Sequence, residues 1–302
     1  MKTKKNRTFK EIVNSETVSG YVCSAPFIFG FLMFMVVPMV ISLYYAFCDY
    51  DIMNPPVWSG MKNLKTAFGD ELFWKSLRVT CYYALIGTPA KVVFALIVAL
   101  ILCRNSKMVG IYRAVYYMPS IIGGSVAVAV LWKRMFASDG AINALISKIP
   151  GLEDFAFPWL GNVHSAIWVL IILTVWQFGS SMLIFLSSLK QINRELYEAA
   201  EVDGANKWQQ FWKITLPLLT PTVFFNLVQQ TINSFLAFTQ CKIITDGKPM
   251  NSTLFYTVNV YNNAFQYHKT GYASCLAWIM LIVVSVATLI LFKTKNKWVY
   301  EA

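Results

Sequence analysis

Charged residues are scarce in this sequence. Only 14% of its 302 residues are charged, whereas 57% are hydrophobic. Soluble domains carry about 25% charged residues, so the composition excludes an ordinary soluble domain and predicts a membrane protein. The net charge of +11 does not indicate nucleic-acid binding, because the basic residues lie beside apolar segments instead of forming one patch.

Metal ligands and catalytic motifs are also missing. The two histidines, His164 and His268, are far apart, and the six cysteines form no C-x-x-C pair. We therefore predict no metal site and interpret most of the cysteines as small hydrophobic residues. The motifs G-x-x-x-x-G-K-[ST], G-x-S-x-G and H-E-x-x-H are absent. We predict that the chain is not an enzyme, needs no cofactor and does not itself hydrolyse ATP.

Acidic residues are absent from the long apolar runs of the sequence. A membrane-spanning helix needs about 20 apolar residues to cross about 30 Å of hydrocarbon. Six runs fit this length, the third of them interrupted by Gly123-Gly124, and none contains any of the 15 acidic residues. The runs cover residues 21–47, 79–103, 114–131, 165–189, 218–239 and 272–292.

Basic residues mark one side of these runs. The tail at 1–19 and the connections at 104–113, 190–213 and 293–297 are basic, whereas the other connections hold nearly as many acids as bases. The positive-inside rule therefore predicts that both termini and residues 190–213 lie in the cytoplasm.

Lys91 lies inside the second apolar run, shortly after Pro89. A charge at bilayer depth costs roughly 2.5–3.5 kcal/mol on insertion scales, so Lys91 should face the helix bundle or extend toward the interface. We favour a packing or interfacial role over transport chemistry, and the sequence leaves its role open.

A polar stretch at residues 194–217, RELYEAAEVDGANKWQQFWKITLP, separates the fourth and fifth runs. Leu196, Ala199 and Ala200 fall at i, i+3 and i+4, which predicts a helix with a small apolar face. Gly204 follows, and glycine favours the end of a helix because it enters the left-handed region without a Cβ penalty.

A second short helix is predicted after Gly204. Trp208, Phe211 and Trp212 again fall at i, i+3 and i+4, which gives this helix an aromatic edge. Pro217 suits the beginning of the next helix, where its missing N–H costs nothing. One interpretation of the whole stretch is a solvated loop that rests on lipid headgroups.

The spacing favours another interpretation. It resembles the EAA signature of binding-protein-dependent ABC importer permeases, most closely in their carbohydrate-uptake branch of maltose- and glycerol-phosphate-permease-like proteins. The resemblance extends from about Ser76 to the C-terminus. Two departures are Asn193, where relatives usually carry proline, and residues 245–249, where Gly-Gly-Pro is usual. The matching positions are Glu198-Ala199-Ala200, Gly204, Ile214 and Leu216-Pro217.

The resemblance implies an all-α polytopic membrane protein with six transmembrane helices in the type I ABC importer permease (MetI-like) fold. Residues 1–19 would be a cytoplasmic tail, 20–75 the first transmembrane helix and an external loop, and 76–302 the permease core with an EAA coupling loop at 193–217. The ATPase-coupling residues implied are Glu198, Ala199, Ala200, Asp203, Gly204 and Ala205.

The implied function is transport of a sugar or related polyol across the bacterial cytoplasmic membrane. The partners implied are a second homologous permease, two ATP-binding subunits and an extracytoplasmic solute-binding protein, in contact with membrane lipid. An ion-coupled secondary sugar transporter is the alternative, but it would need ionisable groups near the bilayer midplane, and Lys91 alone cannot bind a coupling ion. A channel is a weaker alternative, because no filter motif is present.

Amide side chains follow one face of the fifth run. Asn226, Gln229, Gln230 and Asn233 occur at i, i+3, i+4 and i+7, with Gln240 two turns further along. Amides facing lipid are costly, so this stripe should point into the bundle, where it suits a neutral sugar. The alternative is that these amides only join helices.

The fourth run carries a matching stripe of Thr174, Gln177 and Ser181, with Trp176 beside it. The predicted substrate path consists of Gln177, Asn226, Gln229, Gln230 and Asn233.

Overall fold

The computed structural model describes residues 16–103, 109–152 and 155–300. Helices account for nearly all of its regular structure, as the long apolar runs predict. The helices are α1 Glu16–Phe31, α2 Val37–Ala46, α3 Lys62–Gly69, α4 Glu71–Leu102, α5 Val109–Ile122, α6 Val126–Met135, α7 Ala141–Ile146, α8 Ser165–Trp176, α9 Gly179–Gln191, α10 Arg194–Val202, α11 Lys207–Gln210, α12 Leu216–Phe235, α13 Thr239–Ile244, α14 Tyr256–Tyr261 and α15 Thr270–Trp298.

Three π-helical turns extend these helices, at Leu32–Val36, Phe211–Thr215 and Asn262–Gln266. A two-residue ribbon, β1 Cys48–Asp49 with antiparallel β2 Val57–Trp58, lies in the loop after α2 and is the one addition to the predicted all-α architecture among the described residues.

Four continuous helical stretches in the described part of the chain are long and apolar enough to cross a membrane. They are Gly20–Ala46, Glu71–Leu102, Lys207–Ile244 and Thr270–Trp298. Two further apolar segments are broken helix pairs: α5 and α6 are bent by 97°, and α8 and α9 by 40°. If each pair counts as one span, the total equals the predicted six, but the third and fourth runs are not straight helices.

The break in the third run falls at Gly123 and Gly124. A Cβ at this position would collide with the carbonyl of Pro119 and lie 2.5 Å from the Gln177 side chain, so only glycine fits. Ser125 then begins α6, because its hydroxyl accepts a hydrogen bond from the Val128 amide at 3.3 Å. The expectation of one continuous segment over 114–131 is therefore corrected to two helices.

Helix α4 lies at the centre of the bundle and packs against α8, α9, α12 and α14. Ala95 and Ala99, one turn apart on α4, are fully buried in a core cluster that includes Met182 and Phe185 of α9. Small side chains at such positions let two helices approach closely, which is how helices associate in lipid.

The N-terminal helices lie at the periphery. Helix α2 packs against α15, whereas the apolar side chains of α1, including Tyr21 and Phe27, are exposed. An exposed apolar helix of this length is stable only when lipid or another chain covers it. Most of the predicted cytoplasmic tail at 1–19, and residues 104–108 of the basic connection at 104–113, lie outside the described residues.

Candidate coupling surface and polar cavity

The predicted coupling loop, residues 193–217, begins with a helix cap. The Asn193 side chain accepts a 3.1 Å hydrogen bond from the Glu195 amide and donates one of 3.0 Å to the Glu195 carboxylate. Asparagine is among the best N-cap residues, so Asn193 begins α10 without the proline usual in relatives.

Helix α10 ends in a Schellman motif, which accounts for the spacing between the two alanines and the glycine. Gly204 adopts φ 81°, and its amide donates to the carbonyl of Glu201 at 3.1 Å. The Ala205 amide donates to the carbonyl of Ala200 at 2.8 Å. Both bonds require a left-handed residue directly after the helix cap, a conformation that glycine adopts most easily.

Helix α11 starts with a reciprocal capping box. The Gln209 amide donates to Asn206 Oδ1 at 2.9 Å, and the Asn206 amide donates to Gln209 Oε1 at 2.8 Å. Lys207 forms an exposed ion pair with Glu201 of α10. The hydrogen bond from the Lys207 ammonium, together with its charge, lowers the pKa of Glu201, so this carboxylate is ionised at neutral pH.

Further hydrogen bonds join α10, α11 and the base of α12. Tyr197 Oη lies 2.8 Å from Thr215 Oγ1, and Nε2 of the buried Gln210 side chain donates to the Ala205 carbonyl at 3.3 Å. The chain stays helical from Lys207 through the π-helical turn into α12. Pro217 therefore lies in the first turn of α12, as predicted. Helix α12 does not start separately, however, because the π-helical turn connects it to α11.

The outer surface of the coupling loop is exposed and partly apolar. Leu196 is 45% exposed, Trp208 69% and Val202 89%. The ring of Trp208 contacts those of Phe211 and Trp212, which forms the predicted aromatic edge. Of the predicted coupling residues, Glu198, Ala199, Asp203 and Gly204 are exposed, whereas Ala200 and Ala205 are half-buried.

A polar cavity of about 280 Å³ lies between α4, the bent pairs and α12. This volume is near the lower end of small-ligand sites, roughly 300–1,000 Å³. Among the described residues, the lining contains amides, hydroxyls, one ammonium group and no carboxylate. Its residues are Tyr83, Lys91, Ser120, Thr174, Gln177, Ser180, Gln230, Asn233, Ser234, Ala237 and Gln240.

Three of the five predicted substrate-path residues line this cavity: Gln177, Gln230 and Asn233. The other two do not. Asn226 is fully buried and donates to the Thr222 carbonyl at 3.0 Å, while its Oδ1 has no partner among the described residues. Gln229 is exposed on the surface of α12 and lies outside the lining.

The residues of the predicted stripe on the fourth run are also divided between the cavity and the packed core. Thr174 and Gln177 line the cavity, whereas Ser181 is buried beside it and accepts a 3.2 Å hydrogen bond from Gln230 Nε2. Trp176 is not in the lining, because its ring packs against Trp132 with centroids 5.5 Å apart. Gln230 thus both joins two helices and reaches the cavity.

The broken third span borders the cavity through Ser120 and is hydrogen-bonded to two other lining residues. Ser120 Oγ donates to the Gln177 carbonyl at 2.9 Å, and Gln240 Nε2 donates to the Gly123 carbonyl at 3.3 Å. Gln240 belongs to α13, not to α12, since α12 ends at Phe235. It nevertheless reaches the same cavity as Asn233.

Lys91 points into the cavity and is only 9% exposed. It faces the bundle interior, one of the two placements expected for it. Tyr83 lies two turns earlier on the same face of α4 and shares a hydrogen bond with Thr174. The shared face of Tyr83 and Lys91 on α4 is the sequence signal that could have identified these two lining residues.

Comparison with known proteins places the chain among transport proteins. Residues 67–296 match the family described as binding-protein-dependent transport system inner membrane component. The probable ABC transporter permease protein YesP of Bacillus subtilis is 50% identical over 98% of this chain and 95% of its own length.

Two further relatives have names that specify sugars. The probable starch degradation products transport system permease protein AmyD of Thermoanaerobacterium thermosulfurigenes is 31% identical, over 88% of this chain and 90% of its own. The lactose transport system permease protein LacF of Rhizobium radiobacter is 30% identical, over 91% and 93%.

Solved structures share the fold. A chain of a bacterial ABC transporter involved in the import of the acidic polysaccharide alginate aligns with a TM-score of 0.77 and 23% identity, over 92% of this chain and 95% of that chain. A second structure, of a bacterial alginate ABC transporter in complex with an alginate pentasaccharide-bound periplasmic protein, aligns with a TM-score of 0.78 and 22% identity, over 96% and 98%.

Proposed function

This chain belongs to the family of binding-protein-dependent transport system inner membrane components, and on that premise we propose that it is the permease subunit of an ABC importer for a sugar or related polyol. The sugar class is supported by the relatives that transport starch degradation products and lactose. It is also supported by a cavity of neutral amides and hydroxyls, which match the donors and acceptors of a sugar ring.

Energy for transport comes, in this proposal, from two ATP-binding subunits that contact the coupling loop. The observation that carries the proposal is the exposed, hydrogen-bonded unit of α10, α11 and the base of α12. Exposed apolar groups such as Val202 and Trp208 mark a contact surface. When ATP closes the two ATP-binding subunits, this unit moves as a lever and changes the cavity from inward-open to outward-open. Such coupling requires contacts that differ between the two states.

The second permease covers the face of α12 that carries Gln229 and Asn233. Both amides are exposed on this chain, although they lie inside an apolar span. An amide in contact with lipid tails would lack hydrogen-bond partners, so a neighbouring protein surface is the favourable environment. We assign Gln177, Gln230 and Asn233 to the substrate path, Asn226 to helix packing and Gln229 to the permease interface.

The solute-binding protein delivers the sugar on the outer side. With both termini and the coupling loop in the cytoplasm of a bacterium, the loops after α2 and α6 face outward. They carry two hollows lined by charged residues, among them Asp49, Lys62 and Asp70 in one and Lys133, Arg134 and Asp139 in the other. The alginate transporter in complex with a periplasmic protein has the same fold as this chain.

Proteoliposomes that contain the complete importer test this function. ATP enclosed with the ATP-binding subunits should drive sugar accumulation when the sugar-loaded binding protein is outside, and ionophores that abolish ion gradients should leave the rate unchanged. Sugar accumulation that needs an ion gradient and no ATP would establish the ion-coupled alternative instead.

A further inference from the structure

Lys91 is a buried cation with no counterion among the described residues. In the part of the chain that the structure describes, its ammonium group has no ion-pair or hydrogen-bond partner, and no acidic residue lines its cavity. The other lining groups that could bond to it are neutral: amide and hydroxyl oxygens of residues such as Gln177, Gln230 and Thr174. An ionisable residue inside a membrane bundle is costly and is usually retained for function.

A ligand with a negative charge would offset the free-energy cost of burying the Lys91 ammonium group. A buried lysine carries three donors and is stabilised strongly by a carboxylate, because charge-assisted hydrogen bonds are about twice as strong as neutral ones. The rest of the lining suits the hydroxyls of a sugar ring. A single ligand with both features is a sugar that carries a carboxylate.

We propose that the transported sugar is acidic, with a uronic-acid residue whose carboxylate pairs with Lys91 while its ring hydroxyls contact Gln177, Gln230 and Asn233. This proposal rests on the transport function proposed above. A carboxylate fits better than a phosphate ester, because a phosphate carries about two negative charges at neutral pH and the lining supplies one positive charge.

The location of Lys91 also suits a transport site that must release its ligand. The cavity reaches the chain surface at Asn233, where the second permease is expected, so the ligand would lie between the two subunits. One lysine attracts a carboxylate as a point charge, without the bidentate geometry with which an arginine holds it. A single such contact permits both binding and release.

The test uses the complete importer in proteoliposomes, with galacturonate, glucuronate and mannuronate trisaccharides and their carboxyl-reduced, neutral counterparts as probes. Affinity of the binding protein for each probe is measured separately, so that capture and translocation are distinguished. The wild-type importer should move at least one acidic trisaccharide and prefer it to its neutral counterpart.

Lys91→Met should reduce uptake of that acidic probe by about tenfold or more, since it removes the charge and keeps the side-chain length. Lys91→Arg should keep part of the uptake. Lys148→Met removes an equivalent charge from an exposed loop outside the cavity and should leave uptake unchanged. Membrane abundance and ATPase stimulation by the loaded binding protein verify that each variant is assembled.

Three results would overturn the inference. The first is uptake of the acidic probe at the wild-type rate by Lys91→Met. The second is an equal loss of uptake of the acidic and neutral probes in Lys91→Met, which would give Lys91 a structural role instead of a contact with the substrate carboxylate. The third is uptake of neutral sugars alone by the wild type, which would leave the proposed transport function intact. If ATP drives no sugar uptake at all, the transport function itself is wrong.

Discussion

The amide of Ala205 donates a 2.8 Å hydrogen bond to the carbonyl of Ala200 across the left-handed Gly204. This bond fixes the direction in which the chain leaves α10 and so the position of α11 beside it. The spacing of the two alanines and the glycine is therefore a backbone requirement, independent of any partner. The exposed side chains around it remain free for contact with another subunit.

We predict that Gly204→Asn keeps the fold and abolishes uptake. Asparagine tolerates the left-handed region, and a Cβ at Gly204 would meet nothing within 4 Å, so the free energy of unfolding should fall by only about 1 kcal/mol. The asparagine side chain would, however, prevent an ATP-binding subunit from packing closely against residue 204, and uptake would be lost. The measurements are membrane abundance, sugar uptake and co-purification with the ATP-binding subunits.

Gly151→Asn is the matched control for this change. Gly151 also has a positive φ, 90°, and open space around its Cβ position, but it lies in a loop on the predicted opposite side of the membrane. Sugar uptake by the Gly151→Asn variant should equal that of the wild type. Normal uptake by Gly204→Asn would contradict a contact at this glycine.

Gly123→Ala should impair transport by disturbing the cavity. The added Cβ would lie 2.5 Å from the Gln177 side chain and collide with the Pro119 carbonyl, which we expect to cost about 1–3 kcal/mol of stability or to displace Gln177. Gly124→Ala is its control, because nothing lies within 4 Å of the Cβ position there. Thermal unfolding of the purified complex and the KM for uptake measure the two effects. Equal behaviour of both variants would mean that the close approach to Gln177 is unimportant.

The amides of α12 should separate into two classes. Asn233→Ala should raise the KM for sugar several-fold with the subunits still associated, because Asn233 lines the cavity. Gln229→Ala should leave the KM unchanged and weaken co-purification of the second permease. Kinetics and subunit stoichiometry are measured on the same preparations. A KM effect from Gln229→Ala with none from Asn233→Ala would reverse the assignment.

Reporter fusions test the orientation of the chain. Fusions after Lys107 and Lys207 should report the cytoplasm, whereas fusions near Asp154 and Lys248 should report the outside, because basic connections stay on the cytoplasmic side. Lys107 and Asp154 lie outside the described residues. A cytoplasmic signal at Lys248 would contradict the six-span topology.

Local sequence patterns predicted the helices and the turn of residues 193–217 well. The end of α10 depends on one glycine, and the aromatic edge depends on spacing within a few turns, so the loop geometry is set by near neighbours. The number of apolar segments was also predictable, because each segment is a continuous stretch of the sequence. The interruption at Gly123-Gly124 was visible in the sequence, but the close approach of Gln177 to Gly123 was not, because these residues are more than 50 positions apart.

The cavity was only partly predictable. The amide stripe on α12 covers a wide arc, and the neighbouring helices decide which of its members face inward. Gln230 donates a hydrogen bond to Ser181 of α9. Gln229 is exposed and forms no side-chain hydrogen bond among the described residues. Trp176 lies beside the stripe of the fourth run in sequence, but its ring packs against Trp132 and does not line the cavity. Such contacts between distant segments cannot be read from the periodicity of one helix.

Site-specific photo-cross-linking from Ala199 in the assembled importer tests the central claim most directly. Ala199 is exposed on α10, and a cross-linker at Lys148 in an exposed loop on the predicted opposite side serves as the control. If the coupling loop transmits ATP energy, the probe at Ala199 should attach to an ATP-binding subunit, with a yield that changes when ATP is bound. The control probe should not reach that subunit. Attachment of the Ala199 probe to lipid alone, in an importer that still transports sugar, would contradict the account.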